Sequence, residues 1–572
     1  MKVTLSKPDW RRDDAVKLIP VHENFGDEIT AYTEQNPLTL LYGNAVFLVG
    51  PTGCGKSTYV EDHLLVPMAK EGKQVVYVSN RVANNLRAKK KLLEKLDLSD
   101  VAKKYTAEGL AELTELSSNV RVFSYQALEH ALRDILFVHA LKKVALVVFD
   151  EAHFFTSDAA FNGHTERILE QIAPAFSQAM RVYTTATPDD AFEAILEAES
   201  SLRTPRIPPR LFMTIPEAER PFRIPPIPPR CFWTIPAFEM KADYSHLDIW
   251  AFRQEQEIID MISKDTSSER WFIFLNSVER GRKLAQKLPD AAFICAESKD
   301  SDDQDGEVYR KLLEEEKFDA KVLVTTAVLD NGINIIDPTL RNVVLFSTEK
   351  AQFLQALGRK RCAPDERLRL FLPAQSSLFF NGKARDAEEK LAMIKQMREH
   401  PYAFAESLID GSKPKAQGLG YWGGRKYVVN GLAETNYKSQ LGFYKTMREA
   451  LKEDPAAFVK AQMAWLGLEE QWSEEHWLGY VPEDESPERK ALQEFLSSKL
   501  SVSMENEEVG RFCQEFQRLA EAAFGPRDNW KEGRDYKETI IRKILGEQGL
   551  PYRLDIRKGC WTLSLKEQGG AV

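Results

Sequence analysis

One string, GPTGCGKS at Gly50–Ser57, sets the architecture open to this chain. It fits G-x-x-x-x-G-K-[ST] and stands between an apolar, strand-like run, Ala45–Val49, and a helix-like stretch, the context in which the pattern forms a phosphate cradle. Gly53 and Gly55 let the backbone turn tightly, so that the N–H groups of Gly50, Thr52, Cys54 and their neighbours as far as Thr58 frame an anion, while Pro51, which has no N–H, lends only its shape. Lys56 has the reach for β- and γ-phosphates, and the Ser57 hydroxyl can ligate Mg²⁺. A strand feeding a helix through such a loop implies a parallel sheet.

A second string, VVFDEAH at Val147–His153, supplies acids at the end of another apolar run, Val144–Phe149. Asp150 is placed to hold the metal, and Glu151 to orient or deprotonate an attacking water. Together the two strings imply nucleoside triphosphate hydrolysis. Between and beyond them, Val75–Val78, Val120–Phe123 and Arg181–Tyr183 alternate with helical patterns, and the alternation resumes with Trp271–Leu275, Lys321–Val324, Val343–Phe346 and Leu368–Phe371. That pattern predicts parallel sheets covered on both faces. The expected fold is therefore α/β, two such layers in tandem followed by a mainly α-helical C-terminal domain.

The strings also carry a resemblance. Gly50–Ser57, Asp150–His153 and TTATP at Thr184–Pro188 resemble motifs I, II and III of superfamily 2 DEAH/DExH-box helicases. In the same order, Tyr77–Asn85, Val122–Leu128, Phe272–Ser277, Val322–Ile335 and Gln355–Arg361 resemble motifs Ia, Ib, IV, V and VI. The wider wording is similar to DEAD/DEAH-family helicases of bacteria and their mobile elements. The resemblance implies ATP and Mg²⁺ as cofactors, Ser57 and Asp150 on the metal, and Gly332 at the nucleotide. It implies that His153 couples the site to motifs III and VI, and that Gln355, Arg359 and Arg361 complete it from the second domain. Arg81, Ser124, Asn276, Thr325 and Thr326 are the implied nucleic-acid contacts. Motif VI departs from the usual Q-x-x-G-R-x-x-R, because the second arginine position is Cys362 and the nearest arginine is Arg361. One residue on a helix turns a side chain by about 100°, so Arg361 serves only if the helix is rotated or ends there.

At 572 residues the chain exceeds one core, and a prior of about 100 to 200 residues per domain allows three or four units. The motif layout divides it into 1–200 and 246–375 for the two RecA-like domains, 201–245 for a linker, and 376–572 for the accessory domain. The linker carries a near-repeat, Arg203–Pro216 echoed by Arg223–Pro236, whose prolines argue against helix and central strand. It reads as an extended connection, with Phe212, Phe232 and Trp233 available to a protein partner on a second reading.

From Gly411 to Arg448, seven basic residues face one acid and are interleaved with aromatics. The window admits two readings: a strand-contacting surface led by Trp422, Arg425 and Lys426, or aromatics in a core with solvated lysines. Near the end, Tyr552, Leu554 and Ile556 alternate before Lys558-Gly559, and Trp561, Leu563 and Leu565 after, which reads as a hairpin. A helix before it suits a winged-helix module or a domain packed on the motor alike.

Net charge is −9, from 77 basic and 86 acidic residues, so any hold on phosphate must be local. Six cysteines stand singly, without C-x-x-C, against zinc sites or a disulfide framework. No run approaches the roughly 18 apolar residues of a membrane span, and the N-terminal residues have no apolar core of a leader; a cytoplasmic protein without membrane contact is expected. The partner expected is nucleic acid, single-stranded or tailed duplex, DNA favoured over RNA. A nucleotide-switched clamp that binds without unwinding is the competing reading.

Overall fold

The computed structural model describes residues 10–37, 39–40, 43–80, 82–188, 191–203, 234–300, 303–326, 333–363, 365–409, 416, 418–480, 487–505, 507–525, 537–548, 550–557 and 560–565. They form two compact units, divided between Gln471 and Trp472.

Two sheets organise the first unit. The eight-stranded sheet runs, in spatial order, Val16–Val21, Ile235–Met240, Ala45–Val49, Met180–Thr185, Val144–Phe149, Gln74–Ser79, Val120–Ser124 and Glu115–Ser117, and only the last pairing is antiparallel. Every residue of Ala45–Val49 is buried, as a strand with helices on both faces requires. The period of two then divides them: Ala45, Phe47 and Val49 join a core with Phe149, Tyr183 and Phe192, while Val46 and Leu48 join the opposite core with Val60, Leu64 and Leu92. From Ala45–Val49 the chain crosses to Gln74–Ser79, and later strands fill the gap between them. That order leaves a crevice at the carboxyl ends of the strands, where ligands bind in open α/β sheets.

The second sheet is all parallel, in the order Ala291–Ile294, Val322–Thr325, Arg270–Phe274, Leu340–Leu345, Leu368–Pro373, Leu247–Phe252. Tandem RecA-like sheets are thus the fold. Each apolar run named from the sequence lies in or overlaps a strand.

Two expected boundaries need correction. Ile235–Met240 is an inner strand of the first sheet, not linker, although Pro236 lies in it. The proline is tolerated because Ile235 N donates to Ala15 O on one side, and the ladder with Ala45–Val49 begins only at Ala237 on the other. No sheet partner is left waiting for the N–H that Pro236 lacks. The Pro-rich residues 204–233, with Phe212, Phe232 and Trp233, lie outside the described residues.

The second correction concerns 376–572, which is not one body. Ser377–Glu399 and Gly431–Glu453 pack through Phe380, Ala384, Tyr444 and Met447 within the first unit. Residues 472–572 form the second unit by themselves. In it, Pro487–Ser498, Ser503–Met504, Glu507–Phe524, Glu538–Glu547 and the antiparallel pair Tyr552–Arg557 and Cys560–Leu565 follow as helix, strand, two helices and hairpin. The short strand Ser503–Met504 pairs antiparallel with Cys560–Leu565, which lies between it and Tyr552–Arg557. Leu554 and Leu563 are buried in the unit's core with Phe512, Phe516 and Ile541, but Leu565 is exposed. Among the described residues no helix is long and apolar enough to cross a membrane.

Candidate functional site

At the crevice of the first sheet, residues of both domains line an open cleft of about 220 Å³. Gly53 and Gly55 of the loop have φ of 91° and 92°, the left-handed region that only glycine enters without strain. Lys56 is buried, and its Nζ donates to Gly50 O at 2.6 Å and Pro51 O at 2.8 Å, with Cys54 Sγ 3.7 Å away. The ammonium is thus curled on the loop's own carbonyls, one side chain's length from where phosphates would lie. Ser57 and Thr58 line the cavity from the first turn of the helix.

Asp150 follows the strand Val144–Phe149 and is held from both sides, accepting from Tyr77 Oη at 2.5 Å and from Thr184 Oγ1. Burial raises its pKa, the adjoining Glu151 raises it further, and the two hydroxyl donors and Lys56 oppose the rise. A divalent cation beside it would favour the carboxylate. The oxygens of Ser57 and Asp150 suit such a hard ion, and both residues line the cavity.

Glu151 adopts φ 53°, a strained conformation for a residue with a Cβ. It turns the chain so that Glu151 borders the cavity while Ala152 N donates to Thr184 O at 2.8 Å. His153, buried, is the meeting point of three segments. Its Nε2 lies 2.5 Å from the Gln355 amide nitrogen, its Nδ1 3.1 Å from Thr185 Oγ1 and 3.3 Å from Glu151 Oε2. With the amide donating to Nε2, the ring proton is assigned to Nδ1, facing Thr185 and Glu151.

Gln355 comes from the second domain, on the helix Lys350–Leu357. That helix ends at Leu357, which decides the question raised by Cys362. Ile335 N donates to Arg359 O and Arg361 N donates to Ile335 O, an extended bridge beside Ile335. In extended backbone alternate side chains share a side. Arg359 and Arg361 therefore both face the cavity, while Lys360 turns away to pair with Glu366 at 2.6 Å.

Gly358 and Arg361 sit on the phosphate loop itself. A Cβ on Gly358 would lie 2.8 Å from the Thr52 side chain, and one on Gly53 would collide with Arg361 Nη1. Arg361 Nε and Nη2 donate to Asn334 Oδ1 at 3.0 and 2.7 Å, whereas its buried Nη1 has no hydrogen-bond partner among the described residues. Burial, with Arg359 and Arg87 beside it, lowers its pKa to about 10, so the guanidinium stays charged at neutral pH. Five cations (Lys56, Arg87, Lys91, Arg359, Arg361) face three carboxylates (Glu61, Asp150, Glu151) across the cavity, which suits an anionic guest.

The residues expected at the nucleic acid are not brought together in the same way. Trp422 (53% exposed), Arg425 and Lys426 cluster at the tip of a hairpin of Gly420–Trp422 and Tyr427–Val429. Asn276 is exposed and donates to Gln352 at 2.6 Å. Ser124 caps the helix Tyr125–Ala131, its Oγ accepting from Ala127 N at 3.0 Å. Thr325 is a correction: it is fully buried at the end of its strand and donates to Ile294 O at 3.1 Å, so it presents no hydroxyl to a ligand. Thr326 beside it is also buried. Arg81 and Gly332 lie outside the described residues. Tyr77, Glu61, Arg87, Lys91 and Asn334 reach the cavity without having been expected there. Tyr77 and Asn334 stand inside motif-like strings, but Arg87 and Lys91 had no sequence signal beyond a basic helix.

Elsewhere in the 411–448 window Tyr444 and Met447 are buried, Lys438 and Lys445 are exposed and pair with Glu434 and Glu388 at 2.7 Å each, and Lys413 and Lys415 lie outside the described residues.

Two parallel sheets, a phosphate loop on one and an arginine segment of the other seated on that loop, define a tandem RecA-like nucleotide-binding core. Residues 32–195 of this core match the DEAD/DEAH box helicase family model. No curated protein sequence matches the chain. Solved structures similar to it include Mss116p bound to ssRNA and AMP-PNP, at 12% identity and a TM-score of 0.41, with 77% of this chain and 99% of that chain covered. Mycobacterium smegmatis helicase Lhr bound to ssDNA and AMP-PNP shares 17% identity at a TM-score of 0.38, covering 65% and 47%. The DUF1998 helicase MrfA bound to DNA shares 12% at 0.42, covering 71% and 57%. This chain thus spans about half the length of the Lhr and MrfA chains.

Proposed function

We propose that this protein is an ATP-dependent nucleic-acid helicase or translocase that hydrolyses ATP with Mg²⁺ as its two RecA-like domains close and reopen. The observation that carries the reading is the seating of Gly358 and Arg361 of one domain on Thr52 and Gly53 of the other, with His153 and Gln355 in contact beside them. One cavity is therefore built from both domains, and occupancy of that cavity is coupled to their apposition. Closure around a ligand is a hinge motion, and strand movement would follow from its repetition.

In this reading Lys56 would leave its carbonyls for the β- and γ-phosphates, Ser57 and Asp150 would hold Mg²⁺, and Glu151 would take the proton of the attacking water. Mg²⁺ would neutralise charge on the phosphate oxygens. His153 links Glu151 to Gln355, and Arg359 and Arg361 meet the triphosphate from the far side. DNA is the substrate we favour, on the similarity of the motif wording to helicases of mobile elements.

ATPase rate measured with no polymer, single-stranded DNA, single-stranded RNA and duplex tests it. Single-stranded DNA is expected to stimulate turnover at least about tenfold, and a tailed duplex to be separated only with ATP. Equal rates throughout would point to a small-molecule NTPase. Stimulation without strand separation or movement would favour the nucleotide-switched clamp.

The hairpin tip is the proposed strand contact outside the motifs. It is anchored on the segment that follows the DEAH residues: Asn430 Nδ2 donates to Asn162 O at 3.1 Å and Thr165 Oγ1 at 3.0 Å, and Tyr421 stacks on His164 at 4.5 Å. Gly163 leaves no space for a Cβ against Gly420 O. The exposed tip is thus carried by the ATPase domain. Reversing Arg425 and Lys426 to Glu is expected to weaken single-strand binding and to reduce its salt slope by about 0.7 per lost contact. Trp422→Ala is expected to cost about 1 to 3 kcal/mol of binding if a base stacks there. Titration of a labelled oligonucleotide at several salt concentrations measures both; unchanged binding in both variants would remove the tip from the interface.

A further inference from the structure

Glu316 occupies backbone that does not suit it. It ends the helix Gln304–Glu315 with φ 57°, a left-handed cap normally taken by glycine or asparagine, where a Cβ crowds the following carbonyl. A strained residue of this kind points to work done by its side chain. Its Oε1 accepts from Asn334 Nδ2 at 3.2 Å and pairs with Arg87 Nη2 at 3.0 Å. Asn334 is buried, and its Oδ1 accepts both Nε and Nη2 of Arg361. Arg87 belongs to the helix Val82–Lys95 of the first domain, and the other three residues to the second. Arg87, Asn334 and Arg361 line the nucleotide cavity, and Glu316 stands behind them.

The chemistry of the amide gives this chain a direction. The two ends of an asparagine side chain have nearly the same shape and opposite hydrogen-bonding character. A carboxylate on the NH₂ end can only accept, so the oxygen end must face Arg361, and two donors on one oxygen fix the plane of the guanidinium. Arg361, which can only donate, asks for the same orientation, so the amide is held at both ends; without the carboxylate its NH₂ end loses its acceptor and the amide loses its anchor. The carboxylate is in turn paired with Arg87, a cation of the other domain.

We propose that Glu316 is a positioning residue for hydrolysis: by orienting Asn334 it aims Arg361 at the phosphate loop, and its pair with Arg87 ties that aim to the apposition of the two domains. The inference rests on the reading of Arg361 as the group that meets the transferring phosphoryl. It adds to that reading a relay, Arg87 to Glu316 to Asn334 to Arg361, that makes turnover conditional on closure.

The test is steady-state ATP hydrolysis by wild type, Glu316→Gly, Arg361→Ala and the double variant, with thermal melting of each. Glycine relieves the left-handed strain, so Glu316→Gly is expected to melt no lower than wild type. Its kcat is nonetheless expected to fall at least about tenfold with KM for ATP nearly unchanged, the signature of an interaction made in the transition state. The double variant is expected to be no slower than Arg361→Ala alone, because Glu316 acts only through Arg361. Glu316→Gln, which keeps the side chain's volume and loses its charge, carries the same expectation for kcat should the glycine variant fail to fold. Wild-type kcat in the Glu316 variants, or losses that multiply in the double variant, would overturn the relay. A wild type that does not turn over ATP at all would instead overturn the proposed function.

Discussion

Glu151→Gln is expected to bind ATP as the wild type does and to hydrolyse it at least about 100-fold more slowly, the lower end of what a positioned general base contributes. The two properties separate because Glu151 borders the cavity from a strained turn and touches His153 at 3.3 Å, whereas the phosphate loop is built from other residues. Glutamine keeps the shape of the side chain and its hydrogen-bonding reach, but cannot take a proton. Lys56→Ala is expected to behave differently, losing affinity and turnover together, since its ammonium would meet the phosphates in ground and transition states alike. Titration with a fluorescent ATP analogue and a single-turnover hydrolysis assay distinguish the two variants. Wild-type turnover in Glu151→Gln would remove Glu151 from the water-activating role. Unchanged affinity in Lys56→Ala would mean that the ammonium stays on Gly50 O and Pro51 O when nucleotide is present.

What could be read from the string was whatever local spacing encodes. Phosphate chemistry requires glycines, a lysine and a hydroxyl within eight positions, so Gly50–Ser57 was legible as a unit. The fully buried strands were legible too, because helices on both faces make them continuous apolar runs. Val16–Val21 was not: as an edge strand it buries only Ile19 and Val21, and it tolerates Pro20. Ile235–Met240 was hidden by its proline, whose cost depends on where the neighbouring ladder starts, a fact of the fold and not of the string.

Side-chain direction was the second loss. Thr325 and Ser124 lie in the motif strings expected to grip nucleic acid, yet one hydroxyl serves the sheet and the other a helix cap. The window 411–448 mixed both outcomes, since Tyr444 and Met447 share one buried face of a helix while Trp422 stands on an exposed hairpin. Partners far apart in sequence were wholly illegible. Glu316 reads as one acid in a run of three, and only the αL cap and the reach to Asn334 and Arg87 set it apart.

Arg361→Ala is expected to lower nucleic-acid-stimulated ATP hydrolysis by about 10³ to 10⁵, the range for an arginine that stabilises charge on the transferring phosphoryl group, while leaving ATP binding within a few-fold. The magnitude follows from where the guanidinium stands. It is buried, kept charged despite a pKa lowered to about 10, and fixed by two bonds to Asn334. Its Nη1 points at Gly53 without a hydrogen-bond partner among the described residues. A buried charged donor left in that state is costly, and a triphosphate oxygen is the partner the cavity would bring to it. Arg359 shares the same face of the extended segment, so the two arginines compete for the role, and the contrast between them is the measurement. Arg359→Ala is expected to have the smaller effect on kcat, because it is Arg361 that meets the glycine of the loop. Lys360→Ala is the control for backbone disturbance: its ammonium is paired with Glu366 on the opposite side, so it should lower stability more than rate. If Arg359→Ala abolishes turnover and Arg361→Ala does not, the extended register of the segment is right but the finger is the first arginine, and the departure at Cys362 has left Arg361 as a structural tie to Asn334.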